Sequence, residues 1–173
     1  PGHQLIYKDN NLEIERFFKL EFDEQNTNLE KSAEEINEAM TDSVKRHFHA
    51  DVEVGSLLSS GVDSSYIVSI GKPNKTFTVG YDDPRYNEIN YAEDLTKKLG
   101  IQNISKRMTQ EEYIKNFPKL MYHMDEPLAD PSIIALHSIS ELASHHVKVI
   151  TSGEGADELF GGYNTYQEEV NQA

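Results

Sequence analysis

Between the apolar pairs Leu57–Leu58 and Ile67–Val68 the chain reads SSGVDSSY, with Ser59, Ser60, Ser64 and Ser65 grouped around Gly61 and Asp63. Small side chains let a backbone approach a phosphate closely. Unpaired N–H groups at a helix start favour the same anion, and hydroxyls add donors. No lysine sits in the turn, so backbone and hydroxyl groups would carry the contact. Asp63 repels a phosphate unless a divalent cation lies between them; alternatively it caps the following helix. The stretch alone leaves both readings open. A second cluster, SGEGADELFGGY from Ser152 to Tyr163, sets Gly153, Gly155, Gly161 and Gly162 around Glu154, Asp157 and Glu158. Its glycines permit tight turns and close approach, and its acids suit metal binding or proton transfer. Glu154, flanked by glycines, reads as functional and Glu158 as an ordinary capping acid. Asp157 would complement Asp63 on one cation. In DEPLADPS, Asp125 to Ser132, Asp130 reads as a helix cap, with substrate contact the weaker reading.

The elements that would position these clusters alternate. Strands are expected at Val52–Ser59, Thr76–Tyr81, Ile101–Met108 and Val147–Ser152. Helices are expected near Asp63–Ile70, on the Ile89–Leu99 face with Gly100 as its stop, from the Thr109/Glu112 capping box to His123, and from Pro131 to Leu142. Glu93–Lys97 and Asp94–Lys98 offer ion pairs along the second of these. The pattern predicts an α/β fold, a doubly wound parallel sheet flanked by helices. In such sheets the ligand lies beyond the carboxyl ends of the strands, where strand order reverses. Both clusters follow strands, the first and the fourth, so these two are expected to adjoin. Upstream, residues 1–28 read as a hairpin turning at Asp9–Asn11 and a polar linker. Thr27 and Glu30 would cap the helix that opens the main domain, 29–173.

The chain has 173 residues, 30 Asp and Glu against 16 Lys and Arg, and a net charge of -14. Such acidity repels nucleic acid over most of the surface but still permits a compact polyanion held locally with a cation. The sequence has no cysteine, which removes disulfides and thiolate chemistry. No apolar run approaches the roughly 20 residues of a membrane span. A cytoplasmic protein binding neither nucleic acid nor membrane is expected. The histidines lack metal-ligand spacing, and Tyr81, Tyr86 and Tyr91 read as core and rim.

LLSSGVDSS resembles the SGGxDS loop of the N-type (PP-loop) ATP pyrophosphatases, whose fold is the adenine nucleotide alpha hydrolase-like sheet. Several families share that loop, among them the GMP, NAD and argininosuccinate synthetases. SGEGADELFGGY is narrower and resembles the glutamine-hydrolysing asparagine synthetases and the related β-lactam synthetases. TFTVGYDDPRYNEINYA and DEPLADPS fit the asparagine synthetase pattern in type and order. PGHQLIYK resembles the end of that family's N-terminal glutaminase domain. By this resemblance the chain is identified as a member of the asparagine synthetase family, a carbon–nitrogen ligase.

The resemblance implies that magnesium-ATP (ATP with Mg2+) converts the side-chain carboxylate of aspartate to β-aspartyl-AMP, releasing pyrophosphate. Ammonia from glutamine then gives asparagine. It implies that Ser59, Ser60, Gly61, Asp63 and Ser64 hold pyrophosphate, that Asp63 and Asp157 bind magnesium, and that Leu58, Val79, Ser152 and Gly153 contact the nucleotide. Glu154 would form or resolve the adenylate. Ser60 replaces a glycine of the signature; the retained Gly61 implies that position 60 does not need a positive φ. The glutaminase domain and the C-terminal helical part with the family's catalytic lysine are expected to lie outside this chain, so the chain alone is expected not to make asparagine. Homodimerisation is left open. So are two other functions, another amide- or lactam-forming synthetase and a non-catalytic nucleotide-binding module.

Overall fold

The computed structural model describes residues 1–21, 28–126 and 130–166. The chain divides into two compact units, residues 1–37 and 38–173. In the first, β1 (His3–Lys8) and β2 (Asn11–Arg16) pair antiparallel from His3↔Arg16 to Lys8↔Asn11. The expected turn tightens to two residues, Asp9 and Asn10, at φ 52 and 59. That is the type I′ geometry that Asn and Asp tolerate best after glycine. All strand residues are exposed, and among the described residues the hairpin pairs only with itself. The cap expected at Thr27 lies outside the described residues. Asn28 Oδ1 accepts the Lys31 N–H at 2.8 Å and opens α1 (Leu29–His47).

In the second unit β3 (Val54–Leu57), β4 (Lys75–Tyr81), β5 (Gln102–Met108) and β6 (Val149–Thr151) form one parallel sheet in the order β5-β4-β3-β6. All four expected strands are present. The order reverses where β3 meets β6, through Val54↔Val149, Gly55↔Ile150 and Ser56↔Thr151. The clusters after the first and fourth strands therefore leave the sheet side by side.

The side-chain period of two divides the core. Leu57 joins Phe77 and Val79 against Ile139, Leu142 and Ala143 of α5 (Ser132–Ser144). Leu58 points the other way, onto Val68 of α2 (Val62–Gly71) and onto Ala92 and Leu95 of α3 (Ile89–Leu99). A third group joins Met108 at the end of β5 to Leu120 of α4 (Gln110–His123) and to Ile134. Helices thus cover both faces, as a doubly wound sheet requires. Fully burying a side chain such as Phe77 or Ile134 contributes about 1.5–3 kcal/mol.

Thr76 and Thr78 are buried between the layers, with hydroxyls 2.9 and 3.1 Å from the amide end of Asn103. Thr78 Oγ1 also donates to Leu58 O at 2.9 Å, and one hydroxyl has one proton. Asn103 Oδ1 faces both threonines, and its buried Nδ2 has no partner among the described residues.

The capping box of α4 forms as expected, and Gly100 at φ 70 ends α3. The ion pairs expected at Glu93–Lys97 and Asp94–Lys98 do not form. An exposed pair is worth only about 0–1 kcal/mol, so the helix loses little without them. Tyr86 and Tyr91 are exposed, whereas Tyr81 packs at the third apolar group, and burial pushes its phenol up.

Candidate functional site

The loop from β3 to α2 is braced by its own hydroxyls. Ser59 Oγ accepts the Gly61 N–H at 3.1 Å and lies 2.9 Å from Ser64 Oγ, which accepts the Ser59 N–H at 3.1 Å. Ser65 Oγ donates to Gly61 O at 2.7 Å. Ser60 turns aside and donates from Oγ and N–H to the Glu88 carboxylate, at 2.9 and 3.3 Å. Among the described residues the N–H groups of Val62, Asp63 and Ser64 have no partner. They form the opening turn of α2, where the helix dipole favours an anion. Gly61 sits at φ -70 and caps the helix without a side chain, so Asp63 lies inside the first turn and is not the cap. Ser60 is not among the positive-φ residues, and a serine there carries no backbone strain.

The loop after β6 lies directly over that turn. A Cβ on Gly153 would stand 3.0 Å from Ser64 N and 3.1 Å from Asp63 Cβ, so only glycine lets the two loops approach this closely. Ser152 Oγ accepts the Glu154 N–H at 3.3 Å. Gly155, at φ 91, then swings the chain into α6 (Ala156–Phe160). The Gly162 N–H donates to Asp157 O at 3.0 Å, and a Cβ on Gly162 would collide with the Asp157 carboxylate. Each of these glycines is tied to the placement of an acid.

Glu158 departs from the expectation of a capping acid. The cap of α6 is Gly155, with no side-chain bond, and the Glu158 carboxylate accepts the Tyr163 hydroxyl at 2.7 Å. That bond holds Glu158 below the usual carboxylate range and pushes the Tyr163 phenol up to about 12. Asp130 does cap: its Oδ1 accepts the Ser132 N–H at 2.8 Å, and this backbone bond holds its carboxyl below the ordinary value. The middle of that loop, residues 127–129, lies outside the described residues.

The two loops enclose a cleft of about 330 Å³, within the roughly 300–1,000 Å³ range of small-molecule sites. Leu58, Ser59, Gly61, Asp63, Ser64, Val79, Ser152, Gly153, Glu154 and Asp157 all line it. Of the residues that the resemblance assigns to the site, Ser60 alone is missing from the described lining; it bonds Glu88 instead. The Leu58 N–H donates to Phe77 O at 2.9 Å, and the Leu58 carbonyl accepts the Thr78 hydroxyl. Sequence reasoning missed Glu88 and the apolar wall of Leu136 and Ile139 on α5. The signal for Glu88 in the sequence is its place in the loop after the second strand.

The electrostatics are one-sided. Asp63, Glu88, Glu154, Asp157 and Glu158 line the cleft, and the described lining residues include no Lys, Arg or His. Among the described residues no three ligating side chains group closely enough to hold a metal by themselves. A divalent cation at Asp63 and Asp157 would complete its shell with phosphate oxygens and water, as magnesium commonly does. The donor set fits: two carboxylates without hydrogen-bond partners among the described residues, on loops locked together at Gly153.

Comparison with known proteins gives the same reading of the fold. Structurally the chain is similar to an NMN synthetase from Francisella tularensis, with a TM-score of 0.50 at 13% identity over 80% of this chain and 59% of that one. In sequence it is 46% identical to asparagine synthetase [glutamine-hydrolyzing] 1 of Bacillus subtilis, over 97% of this chain and 27% of the relative. It is 39% identical to a putative asparagine synthetase of Mycobacterium bovis, over 83% of this chain and 22% of that protein. The chain thus spans about a quarter of the length of these relatives. Residues 35–173 match the family described as Asparagine synthase, and the chain belongs to that family.

Proposed function

We propose that this chain supplies the nucleotide half of a glutamine-dependent asparagine synthetase. It would hold magnesium-ATP while the side-chain carboxylate of aspartate attacks the α-phosphorus and pyrophosphate leaves. The observation that carries the reading is the packing of Gly153 on the first turn of α2. It brings three unpartnered N–H groups, Asp63 and the Glu154–Asp157 acids to one cleft. The N–H groups of Val62, Asp63 and Ser64 suit the charge that gathers on a leaving pyrophosphate. Bound magnesium would supply charge neutralisation between phosphate and carboxylate. The Leu58 carbonyl, Val79 and Ser152 would orient the base, and Phe77 and Ile139 would keep water from the reacting atoms. Glu154, with no hydrogen-bond partner for its carboxylate among the described residues, would act beside the adenylate when ammonia attacks.

Ammonia would come from a glutaminase domain of the same protein, and the setting would be the cytoplasm. No described helix is long and apolar enough to cross a membrane. The names of the relatives support aspartate as the acceptor. The test is exchange of labelled pyrophosphate into ATP, run with the reading frame that contains this chain. Exchange that requires aspartate and magnesium supports the proposal. Exchange driven by another carboxylate instead would assign a different amide-forming synthetase. Nucleotide binding indifferent to magnesium, without exchange, would leave a non-catalytic module.

A further inference from the structure

Glu88 stands at the head of α3, yet its side chain does not cap that helix. Asn87 caps it, with Oδ1 accepting the Ile89 N–H at 3.2 Å. Both neighbours are seated on the end of β4, where a Cβ on Gly80 would stand 2.5 Å from Asn87 Oδ1 and 2.7 Å from Ile89. Rigid backbone therefore delivers the Glu88 carboxylate to the tip of the β3–α2 loop. There its two oxygens are divided between two donors of one residue: Oε1 takes Ser60 Oγ and Oε2 takes the Ser60 N–H. The other hydrogen bonds of the loop are internal.

We infer that Glu88 is a positioning residue for this loop. By holding Ser60 aside it fixes the loop so that the N–H groups of Val62, Asp63 and Ser64 face the pyrophosphate portion of a nucleotide. The inference rests on the nucleotide reading of the cleft. Glu88 is half-buried, and both of its carboxylate oxygens are turned to Ser60. A loop tip without its anchor has to be ordered at the moment of binding, which costs affinity.

The test is calorimetric titration of the protein encoded by the reading frame that contains this chain with magnesium-ATP, magnesium pyrophosphate and AMP, in the wild type, Glu88→Ala, Glu88→Gln, Ser60→Ala and the Glu88→Ala/Ser60→Ala double variant. Glu88→Ala is expected to weaken magnesium-ATP and pyrophosphate about tenfold, the scale of hydrogen bonds to a charged group. AMP, which lacks the pyrophosphate, keeps its affinity. Glu88→Gln retains one of two acceptors and falls between. Ser60→Ala loses one donor and adds little on top of Glu88→Ala, because the two act through one contact. Equal or tighter binding of magnesium-ATP by Glu88→Ala overturns the inference, and so does a parallel loss of AMP. Should Glu88→Ala fail to fold, Ser60→Ala decides, since it leaves α3 intact, and unchanged magnesium-ATP affinity there refutes the inference. A wild type that binds none of the three ligands refutes the nucleotide reading itself; one that binds them all, with unaltered variants, refutes the role of Glu88 alone.

Discussion

Gly153→Ala tests whether the two loops meet as tightly as their geometry requires. The new methyl would stand 3.0 Å from Ser64 N, 3.1 Å from Asp63 Cβ and 3.3 Å from Asp63 C. Carbon–carbon contacts are optimal at about 3.5–4.0 Å, so the β6 loop has to withdraw by about 0.4 Å. No relief comes from a rotamer change, because two of the three atoms are backbone. Overpacking of this kind costs about 1–3 kcal/mol. For a chain of this size each kcal/mol lowers Tm by about 2–4 °C. The consequence for the cleft is larger than that for the fold. Asp63 and Asp157 sit on opposite sides of the contact, and magnesium holds its ligands at about 2.0–2.1 Å with little tolerance. Magnesium-ATP affinity should therefore drop by about tenfold, or ~1.4 kcal/mol. Calcium, with longer and more variable bonds, should lose less. Calorimetry with each cation and a thermal melt measure both effects. A variant with wild-type Tm and wild-type magnesium-ATP affinity would refute the contact and the reasoning built on it.

Asp63→Asn and Asp157→Asn should each remove the magnesium-dependent part of ATP affinity while AMP still binds; loss of AMP as well would show that the cleft had collapsed. Thr109→Ala removes one half of the α4 capping box and should cost about 1 kcal/mol in chemical denaturation, with a change under ~0.3 kcal/mol counting against it. The Tyr163 phenol is raised above its ordinary value, so the folded state holds that proton more tightly. This contribution to stability is complete below pH ~10 and is lost as pH rises through about 12. Tyr163→Phe should lack that component in denaturation curves taken across the window, and identical pH dependence in the two proteins would exclude the Glu158 bond.

What the sequence disclosed, and what it hid, follows from the range of the forces involved. Hydrophobic alternation and the Thr109/Glu112 box are local, and they placed every strand of the sheet and the start of α4. The adjacency of the first and fourth strands was legible because two glycine-rich, acid-bearing strand ends make sense only where strand order reverses. The fate of individual carboxylates was not legible. Glu158 reads as a capping acid by position and Glu88 carries no signal beyond its place in a loop, yet one accepts Tyr163 and the other Ser60, and each of those bonds depends on a loop closing in three dimensions. The Asp63 ambiguity was of the same kind. Only the dihedrals of Gly61 place the helix start ahead of it and remove the capping reading.

On the proposed reading, the charge of the cleft would dictate the form in which a nucleotide enters. Glu88 and Glu158 are engaged by neighbours, but Asp63, Glu154 and Asp157 accept no side-chain hydrogen bond among the described residues. Two like charges about 4 Å apart repel by about 4 kcal/mol at an effective dielectric of 20. Each free N–H at the start of α2 returns only about 1.5–3 kcal/mol to a charged partner. A bare triphosphate facing three such carboxylates therefore meets repulsion that works against those N–H groups. With a divalent cation between phosphate and acids the sign of the largest interaction reverses. The same carboxylates that disfavour the free polyanion would then favour its metal complex. On the proposed reading, in a chain of net charge -14, the backbone of α2 would choose phosphate and the acids around it would admit that phosphate only when a cation comes with it.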